Sequence, residues 1–449
     1  MTLSNPLQWC CLGLILVSTG FGAPVLTALE PRFERLVGRG DPMPGAAPGV
    51  TFDLVGGAQP AGENVIFFGN NQTGSVQGYY LHDGVAVHRI LDSTMAGELP
   101  GMPAGAELQF ASVYAPIHAN ENGLVAVVVE AFPNPIPTGT TFWALYTWNA
   151  GELTLVTATG HQPPDGPADS IIVTFGVPRF RGGEFFFPAL RTNMFPDVGF
   201  YRWSNESVTE VTWPPLVLTR LTPSAESNCA TAGEIGVPAS SGIWCLAEGP
   251  AQPEQILDFT TPFPVGGGIG TWGGIQYAEL LVLDDDVLFQ ARSNPPGAQG
   301  LFRIRRESVE PVITSEDPDP ITGRPFTLWP WYAGSGDRVA FTGYDPADFL
   351  TRLRLQDSDR TIHAIADEGE PFQGQIVGLI NLHFGALDGD RLAFSLIQEN
   401  DAAVWVAELG PLPPPNTLEI PTLGGLGLAL LALALGGAGV VLVRRCGWG

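Results

Sequence analysis

The chain has 449 residues, of which 45% are apolar and 15% are charged, and its 56 Gly and 41 Pro argue against a helical bundle. The apolar share is large enough to fill a core, so a disordered chain is excluded. Its formal charge of −25 makes the surface repel phosphates, which excludes nucleic acids as expected partners.

The first element in chain order is an export signal. An uncharged, mostly apolar run over 7–17, followed by small residues through Ala23, is typical of a secretory signal peptide, which we assign to residues 1–28. Cleavage after Gly20, Gly22 or Ala28 fits this pattern equally. An uncleaved helix or a buried strand is the alternative for this segment.

A repeat of short strands fills residues 30–410. Apolar strands ending in a large residue recur every 50–60 residues after Gly, Asp or Asn turns. The seven copies lie at 65–67, 125–127, 185–187, 235–237, 287–289, 339–341 and 392–394. Three further strands accompany most copies. Four strands per repeat predict an all-β, seven-bladed β-propeller. An open β-solenoid or two β-sandwiches is the alternative architecture.

The two ends of the repeat predict how the ring closes. The seventh copy stops after its second long strand, near Leu409, while an unmatched strand of the same type lies at 33–37. We therefore expect residues 33–37 to pair with residues 404–407 and complete the last blade, which removes an open sheet edge.

The repeat also resembles a known family. The run from Asn120 to Val127 contains the elements Asn-x-x-Gly-x-x-Ala, and Gly336–Phe341 and Gly389–Phe394 follow a shorter form. This pattern resembles the bacterial choice-of-anchor tandem-repeat proteins, whose unit is Asn-x-x-Gly-x-x-Ala-Phe. The resemblance implies surface display and no particular chemistry.

Few residues between the two ends suggest chemistry. Cys229 and Cys245 are a candidate disulfide in an exported chain, although our strand assignment places a strand between them. Asp284, Asp285 and Asp286 form an acidic turn and are the candidate Ca²⁺ ligands, with further acidic turns at 316–319 and 367–370. The six His residues show no ligand spacing. No catalytic residue is assigned.

The C-terminal end predicts a membrane anchor. A Pro-rich spacer covers residues 411–419, and the final region covers residues 420–449. Leu426–Val443 carries no charge and would span about 27 Å as a helix, close to the ~30 Å hydrocarbon core. Arg444 and Arg445 follow it, as the positive-inside rule expects for a cytoplasmic tail.

This end resembles a sorting signal. Ile420, Pro421, Thr422 and Leu423, then an apolar helix and an Arg pair, resemble the IPTL-CTERM sorting domain of Gram-negative bacteria. Gly427 matches that pattern, whereas Leu426 stands where the family has Trp. The resemblance covers residues 420–445 and implies processing by an exosortase H type enzyme. A plain membrane anchor is the alternative.

These features together predict an exported protein that is membrane-anchored and then displayed at the cell surface or released after sorting. The leading expectation is a non-enzymatic propeller that binds a glycan or matrix ligand and needs no cofactor other than the candidate Ca²⁺. An extracellular glycosidase or lyase is the alternative, and it would need two acids, or an acid and a His, at the mouth of the propeller channel. A purely structural surface protein is the third possibility.

Overall fold

The structure is a computed structural model. It describes residues 31–410 except for gaps at 111–116, 121, 134–140, 165–169, 177, 182, 192–197, 212–216, 224–227, 234–241, 247–253, 265–270, 276–279, 284–285, 295–296, 306–307 and 325. The predicted signal peptide and everything after Gly410 lie outside the described residues. No helix within the described residues is long and apolar enough to cross a membrane.

Antiparallel strands provide nearly all the regular structure, and they form seven sheets that follow one another along the chain. One strand departs from this order: β1 (Arg32–Gly38) belongs to the last sheet. A single 3₁₀ turn, Ser93–Met95, is the one helical element of the described residues.

The first four sheets run in chain order from β2 to β19. Sheet 1 contains β2 (Leu54–Ala61), β3 (Asn64–Asn70), β4 (Gln77–His82) and β5 (Val87–Asp92). Sheet 2 contains β6 (Ala106–Gln109), β7 (Ile117–Ala119), β8 (Val125–Pro133), β9 (Phe142–Asn149) and β10 (Glu152–Ala158). Sheet 3 contains β11 (Ile172–Phe175), β12 (Arg179–Arg181), β13 (Glu184–Arg191), β14 (Val198–Ser204) and β15 (Ser207–Glu210). Sheet 4 contains β16 (Val217–Pro223), β17 (Asn228–Gly233), β18 (Gly242–Leu246) and β19 (Glu254–Asp258).

The last three sheets complete the described chain. Sheet 5 contains β20 (Thr271–Ile275), β21 (Leu281–Leu283), β22 (Asp286–Asn294), β23 (Gln299–Arg305) and β24 (Ser308–Thr314). Sheet 6 contains β25 (Thr327–Ser335), β26 (Arg338–Tyr344), β27 (Thr351–Gln356) and β28 (Ile362–Asp367). Sheet 7 contains β29 (Pro371–Phe372), β30 (Gln375–Asn381), β31 (Leu387–Asp388), β32 (Arg391–Gln398), β33 (Ala402–Glu408) and β1.

The first strands of neighbouring sheets contact one another, as the inner strands of a propeller do. Such contacts join β31 to β2, β7 to β12, β21 to β25 and β25 to β31. Several of these strands are split or bulged midway, as between Gly56 and Gln59, which bends an edge strand. The all-β propeller class predicted from the repeat is confirmed, and neither a solenoid nor paired sandwiches has this arrangement.

The hydrophobic core lies between sheets. Separate buried clusters fill the interfaces of sheets 1 and 2, 2 and 3, 4 and 5, 5 and 6, and 6 and 7. A further cluster, including Val37, Val65 and Val404, joins sheet 7 to sheet 1. The apolar side chains on both faces of these strands are therefore buried between sheets. This explains why the repeat is so rich in Val and Phe.

The Gly that recurs at the turn between the first two strands is required by the backbone conformation there. The turn between the first two strands places Gly62, Gly336 and Gly389 at φ values of 62°, 53° and 57°. These angles lie in the left-handed region, which Gly enters at little cost. In these three units, the Gly signal of the sequence therefore marks the turn between the first two strands.

The predicted closure strand pairs as expected. In the antiparallel pair of β1 and β33, Phe33 lies opposite Ala407 and Val37 lies opposite Val404. The ring of Phe33 contacts that of Phe372, with centroids 4.9 Å apart. The N-terminal part of the described chain is thereby held at the edge of the last sheet.

The strand assignment around Cys229 and Cys245 was wrong. These residues lie directly opposite each other on the adjacent strands β17 and β18, with no strand between them, and they form a disulfide. The second strand of sheet 4 is β17, whereas the repeat copy expected at 235–237 lies outside the described residues. A Cα separation of 4.0 Å brings the two thiols within bonding range.

Candidate functional site

Two kinds of turn share one end of every sheet. In a four-stranded antiparallel sheet, the turn between strands one and two and the turn between strands three and four lie at the same end. We call this end of the sheets the turn end. At the turn end, neighbouring sheets are separated by crevices. Each crevice is therefore bordered by the turn between strands three and four of one sheet and by turns of the next sheet.

The crevice between sheets 1 and 2 holds a cavity of about 490 Å³, which we call the Trp148 cavity. Its volume lies in the range of small-molecule sites. Sheet 1 contributes residues from the end of β4 and the start of β5, and sheet 2 contributes two turns. The lining residues are Leu81, Asp83, His88, Arg89, Asn122, Gly123, Trp148, Asn149, Ala150 and Gly151.

Local sequence fixes the sheet 2 walls of the cavity. The side-chain oxygen of Asn120 accepts hydrogen bonds from the backbone N–H groups of Asn122 and Leu124, each at 3.0 Å. Ala150 and Gly151 have φ values of 47° and 95°, which close the tight turn between β9 and β10. The Asn and Gly of the family-like repeat motif thus shape a wall of the cavity.

An Asp–His pair forms the sheet 1 wall. Asp83 accepts hydrogen bonds from the backbone N–H groups of Val85 and Ala86 at 2.9 and 2.8 Å, and these bonds hold its pKa well below the usual range. The Nε2 atom of His88 lies 2.7 Å from the other carboxylate oxygen. This contact with Asp83 fixes the orientation of the His88 imidazole at the cavity wall.

Trp148 is the unusual member of the wall. The residue is only 6% exposed, and its indole Nε1 is buried without an acceptor among the described residues. A buried donor without a partner costs about 1–3 kcal/mol.

A second polar group lies where the first strands meet. Gln59, His118 and Arg179 occupy the same register on the first strands of sheets 1, 2 and 3, opposite Ile66, Ala126 and Phe186. The amide nitrogen of Gln59 donates to the carbonyl of Ile117 at 3.0 Å. We call Gln59, His118, Arg179 and His383 the axial group.

Hydrogen bonds of the axial group join four consecutive sheets. Gln59 Nε2 lies 3.4 Å from His383 Nε2, which links sheets 1 and 7. The backbone N–H of Phe180 donates to His118 Nδ1 at 3.3 Å, which links sheets 3 and 2. Burial, with smaller contributions from Arg179 and His383, lowers the pKa of His118 well below its usual value and keeps the ring neutral. Since Gln59 and His383 are almost fully buried, the axial group contributes to the packing between neighbouring sheets.

The predicted acidic sites are occupied by arginines and backbone donors. Asp284 and Asp285 lie outside the described residues, while Asp286 forms a two-point ion pair with Arg305 at 2.7–3.1 Å. In the turns at 316–319 and 367–370, Asp319 and Asp367 both bind Arg354. Within the described residues, no three His, Cys, Asp or Glu side chains are grouped so that they could hold a metal ion.

The sequence missed both groupings around the histidines. The sequence predicts a third strand of the first unit over 85–91, which includes His88, but the pairing of His88 with Asp83 depends on the turn that joins β4 and β5. His118 and His383 come together only because sheets 2 and 7 flank sheet 1. The residues of the sorting motif, Ile420–Leu423, Gly427, Arg444 and Arg445, lie outside the described residues.

Comparisons with known proteins give structural likeness only. No protein-family model matches the sequence, and no curated protein matches it. Among solved structures, a prolyl endopeptidase is similar over 77% of this chain and 46% of its own, with 11% identity and a TM-score of 0.47. The β-propeller domain of the Trilobed protease from Pyrococcus furiosus is similar over 70% of this chain and 86% of its own, with 11% identity and a TM-score of 0.41. Oligopeptidase B from Leishmania major is similar over 76% and 45%, with 12% identity and a TM-score of 0.40.

The three structures are named as peptidases or as part of a protease, so the expected non-enzymatic binding or structural surface protein finds no support among them, and neither does the alternative glycosidase or lyase. The chain spans less than half the length of the prolyl endopeptidase and of oligopeptidase B.

Proposed function

We propose that this chain is the propeller of a peptidase and that a substrate peptide binds in the Trp148 cavity. The carrying observation is the cavity itself, about 490 Å³ in volume, whose walls combine the side-chain amides of Asn122 and Asn149 with the indole of Trp148. Peptidases are also the class named by the similar structures.

The other walls suit a peptide as well. The side-chain amides of Asn122 and Asn149 offer both a donor and an acceptor, which match the two polar groups of a peptide bond. Leu81 provides apolar surface for a side chain, and the imidazole of His88, held by Asp83, provides a polar edge for a backbone group. Within the described residues, no hydroxyl or thiol is hydrogen-bonded to His88, so the proposal assigns substrate binding to this cavity and not bond cleavage.

A single substitution tests the cavity. Trp148→Phe keeps an aromatic ring and removes the larger indole from the cavity wall, so we expect affinity for a short proline-containing peptide to fall about fivefold, or ~1 kcal/mol of lost apolar contact. Calorimetric titration of the full chain measures this, and mass spectrometry of the same mixtures detects cleavage.

The matched control is Trp143→Phe. Trp143 lies on the same strand, β9, but packs against the cluster between sheets 2 and 3, away from the cavity. Equal losses in both variants would contradict the proposal, because they would show a general effect on β9. Absence of binding by the unaltered chain at millimolar peptide would also contradict it.

We also propose that the seven sheets are seven blades of one closed ring. The supporting observations are the buried cluster that joins sheet 7 to sheet 1 and the pairing of β1 with β33. Buried clusters join the other pairs of neighbouring sheets, and contacts between β13 and β16 join sheets 3 and 4.

The two chain ends carry a proposal about location. We propose that residues 1–28 direct export and that residues 426–443 hold the chain in the membrane until a sorting enzyme acts near Ile420–Leu423. The support comes from the sequence: an uncharged apolar run, a terminal Arg pair and the IPTL-like motif.

Mass spectrometry of the mature protein tests this proposal. We expect a product that lacks residues 1–28 and ends near Leu423. Leu433→Arg should reduce membrane retention, because a charge at the helix centre costs about 2.5–3.5 kcal/mol. Pro421→Ala should leave insertion unchanged and impair processing. A cell-surface product that extends through Gly449 would contradict sorting.

A further inference from the structure

A group of exposed apolar side chains lies on sheets 6 and 7, away from the turn end. The turn between strands two and three of an antiparallel sheet lies at the opposite end, and in sheet 6 this turn holds Phe349 and Leu350. These residues are 70% and 38% exposed, and Ile376 and Leu379 on β30 of sheet 7 are 39% and 44% exposed. We call these four residues the apolar patch.

One carboxylate joins the two halves of the apolar patch. Glu368 accepts the backbone N–H of Thr351 at 2.7 Å through Oε2 and that of Ile380 at 3.3 Å through Oε1. Thr351 follows Leu350 in the chain, and Ile380 follows Leu379. The two leucines are therefore held close together across the boundary between sheets 6 and 7.

The backbone of Phe349 fixes its ring at the surface. Its φ of 58° lies in the left-handed region, which a bulky residue rarely adopts. Its N–H donates to the carbonyl of Asp345 at 2.8 Å, and its ring stacks on that of Tyr344 with centroids 5.7 Å apart. A strained backbone that leaves an aromatic ring in water adds little to folding, and outliers of this kind occur at binding sites. Because the ring is already held in place, less entropy is lost when a partner covers it.

The segments beside the apolar patch are acidic. Residues 316–324, 345–354 and 367–370 carry eight Asp or Glu and three Arg. Ion pairs of the three Arg with acids of the same segments join these segments to one another. The N–H of Leu350 donates to Asp348 at 2.9 Å and is the main cause that lowers the pKa of this carboxyl, so Asp348 is ionised at neutral pH. The charge beside the apolar patch is therefore negative.

We propose that the apolar patch is the docking surface for a cationic amphipathic segment of a partner protein, in which Lys or Arg accompany large apolar side chains. The apolar side chains of such a segment would cover Phe349 and Leu379, and its positive charges would face the acidic segments. A second copy of this chain would bring the same acids, and an anionic lipid surface is negative as well, so charge disfavours both. The proposal does not depend on the Trp148 cavity, which lies at the turn end.

Binding of designed peptides to the full chain tests the surface. The probe is a fluorescent amphipathic peptide of Leu and Lys, and the comparisons are peptides of equal length in which Glu replaces Lys or Ser replaces Leu. Fluorescence anisotropy gives each Kd. We expect saturable binding of the Leu–Lys peptide and a Kd at least about tenfold higher for both other peptides. Added salt should weaken the Leu–Lys complex, because the charges involved are exposed to solvent.

Two substitutions assign the binding to the apolar patch. Phe349→Gly removes the ring, and Gly enters the left-handed region at little cost, so the variant should stay folded while the Kd rises at least about fivefold. Leu379→Ser should weaken binding in the same direction. Val85→Ser is the control, because Val85 is 91% exposed but lies in the turn between β4 and β5, at the turn end. The melting temperature of each variant shows that it is folded.

Three results would overturn the proposal. The first is a Leu–Lys peptide that binds no more tightly than the Leu–Glu peptide. The second is a Kd for the Leu–Lys peptide that is the same in the unaltered chain and in Phe349→Gly. The third is self-association in sedimentation, or binding to phosphatidylglycerol vesicles, that Phe349→Gly abolishes and Val85→Ser retains, since this would assign the patch to a second copy or to a membrane.

Discussion

Deleting residues 31–45 should lower the melting temperature of the protein by about 5 °C or more. The deletion removes β1 and exposes the full edge of β33, and it also removes Val37 and Met43, which are 1% and 4% exposed. Burial of each such side chain contributes about 1.5–3 kcal/mol. Together with the lost strand hydrogen bonds, the loss is on the order of 5 kcal/mol or more.

Point variants distinguish the loss of β1 packing from the effect of shortening the chain. Val37→Asp places a charge in the cluster between sheets 7 and 1, so it should reproduce most of the deletion effect. Glu34→Ala on the same strand is exposed and should change the melting temperature little. Differential scanning calorimetry measures all three variants. A deletion variant that melts like the unaltered chain would rule out a ring closed by β1.

The sequence predicted the fold class because the strands and turns of the repeat follow local residue preferences. Runs such as Val65–Phe67 and Val339–Phe341 are rich in β-branched and aromatic residues, and they follow Gly-containing turns whose φ values only Gly adopts easily. The closure strand was predictable for the same reason, since an incomplete last unit needs its missing strand from elsewhere.

Strands without these signals were missed. The first strand of sheet 5, β20, reads Thr-Trp-Gly-Gly-Ile, and two Gly residues weaken the strand pattern. The fourth repeat copy was placed at 235–237, which put a strand between the two cysteines. The actual strand, β17, starts at Asn228 and contains small residues that carry little hydrophobic period.

The candidate sites depend on which sheets become neighbours, and single residues in the sequence do not report this. Trp148 and His88 belong to different sheets, and each is an ordinary strand residue until the crevice forms between them. Residues that lie far apart in the chain meet at the axis for the same reason.

Acidification should destabilise the protein through His118. Burial lowers the pKa of His118 well below 6.5, so in the folded state the ring stays neutral while in the unfolded state it takes up a proton. The unfolded state then binds more protons below pH 6.5, and the free energy of unfolding falls as pH decreases from about 6.5 towards the folded pKa. Above pH 6.5 both states are neutral, and this group gives no pH dependence.

The slope of the unfolding free energy against pH shows whether His118 is the titrating residue. One histidine of this kind changes the free energy of unfolding by up to about 1.4 kcal/mol per pH unit within that window. His118→Gln keeps an acceptor for the Phe180 N–H and cannot titrate, so its unfolding free energy should depend less on pH between 6.5 and 5. His161→Gln is the control at an exposed turn. Denaturant unfolding at several pH values measures the slope, and a slope unchanged by His118→Gln would show that His118 is not buried and neutral at the axis.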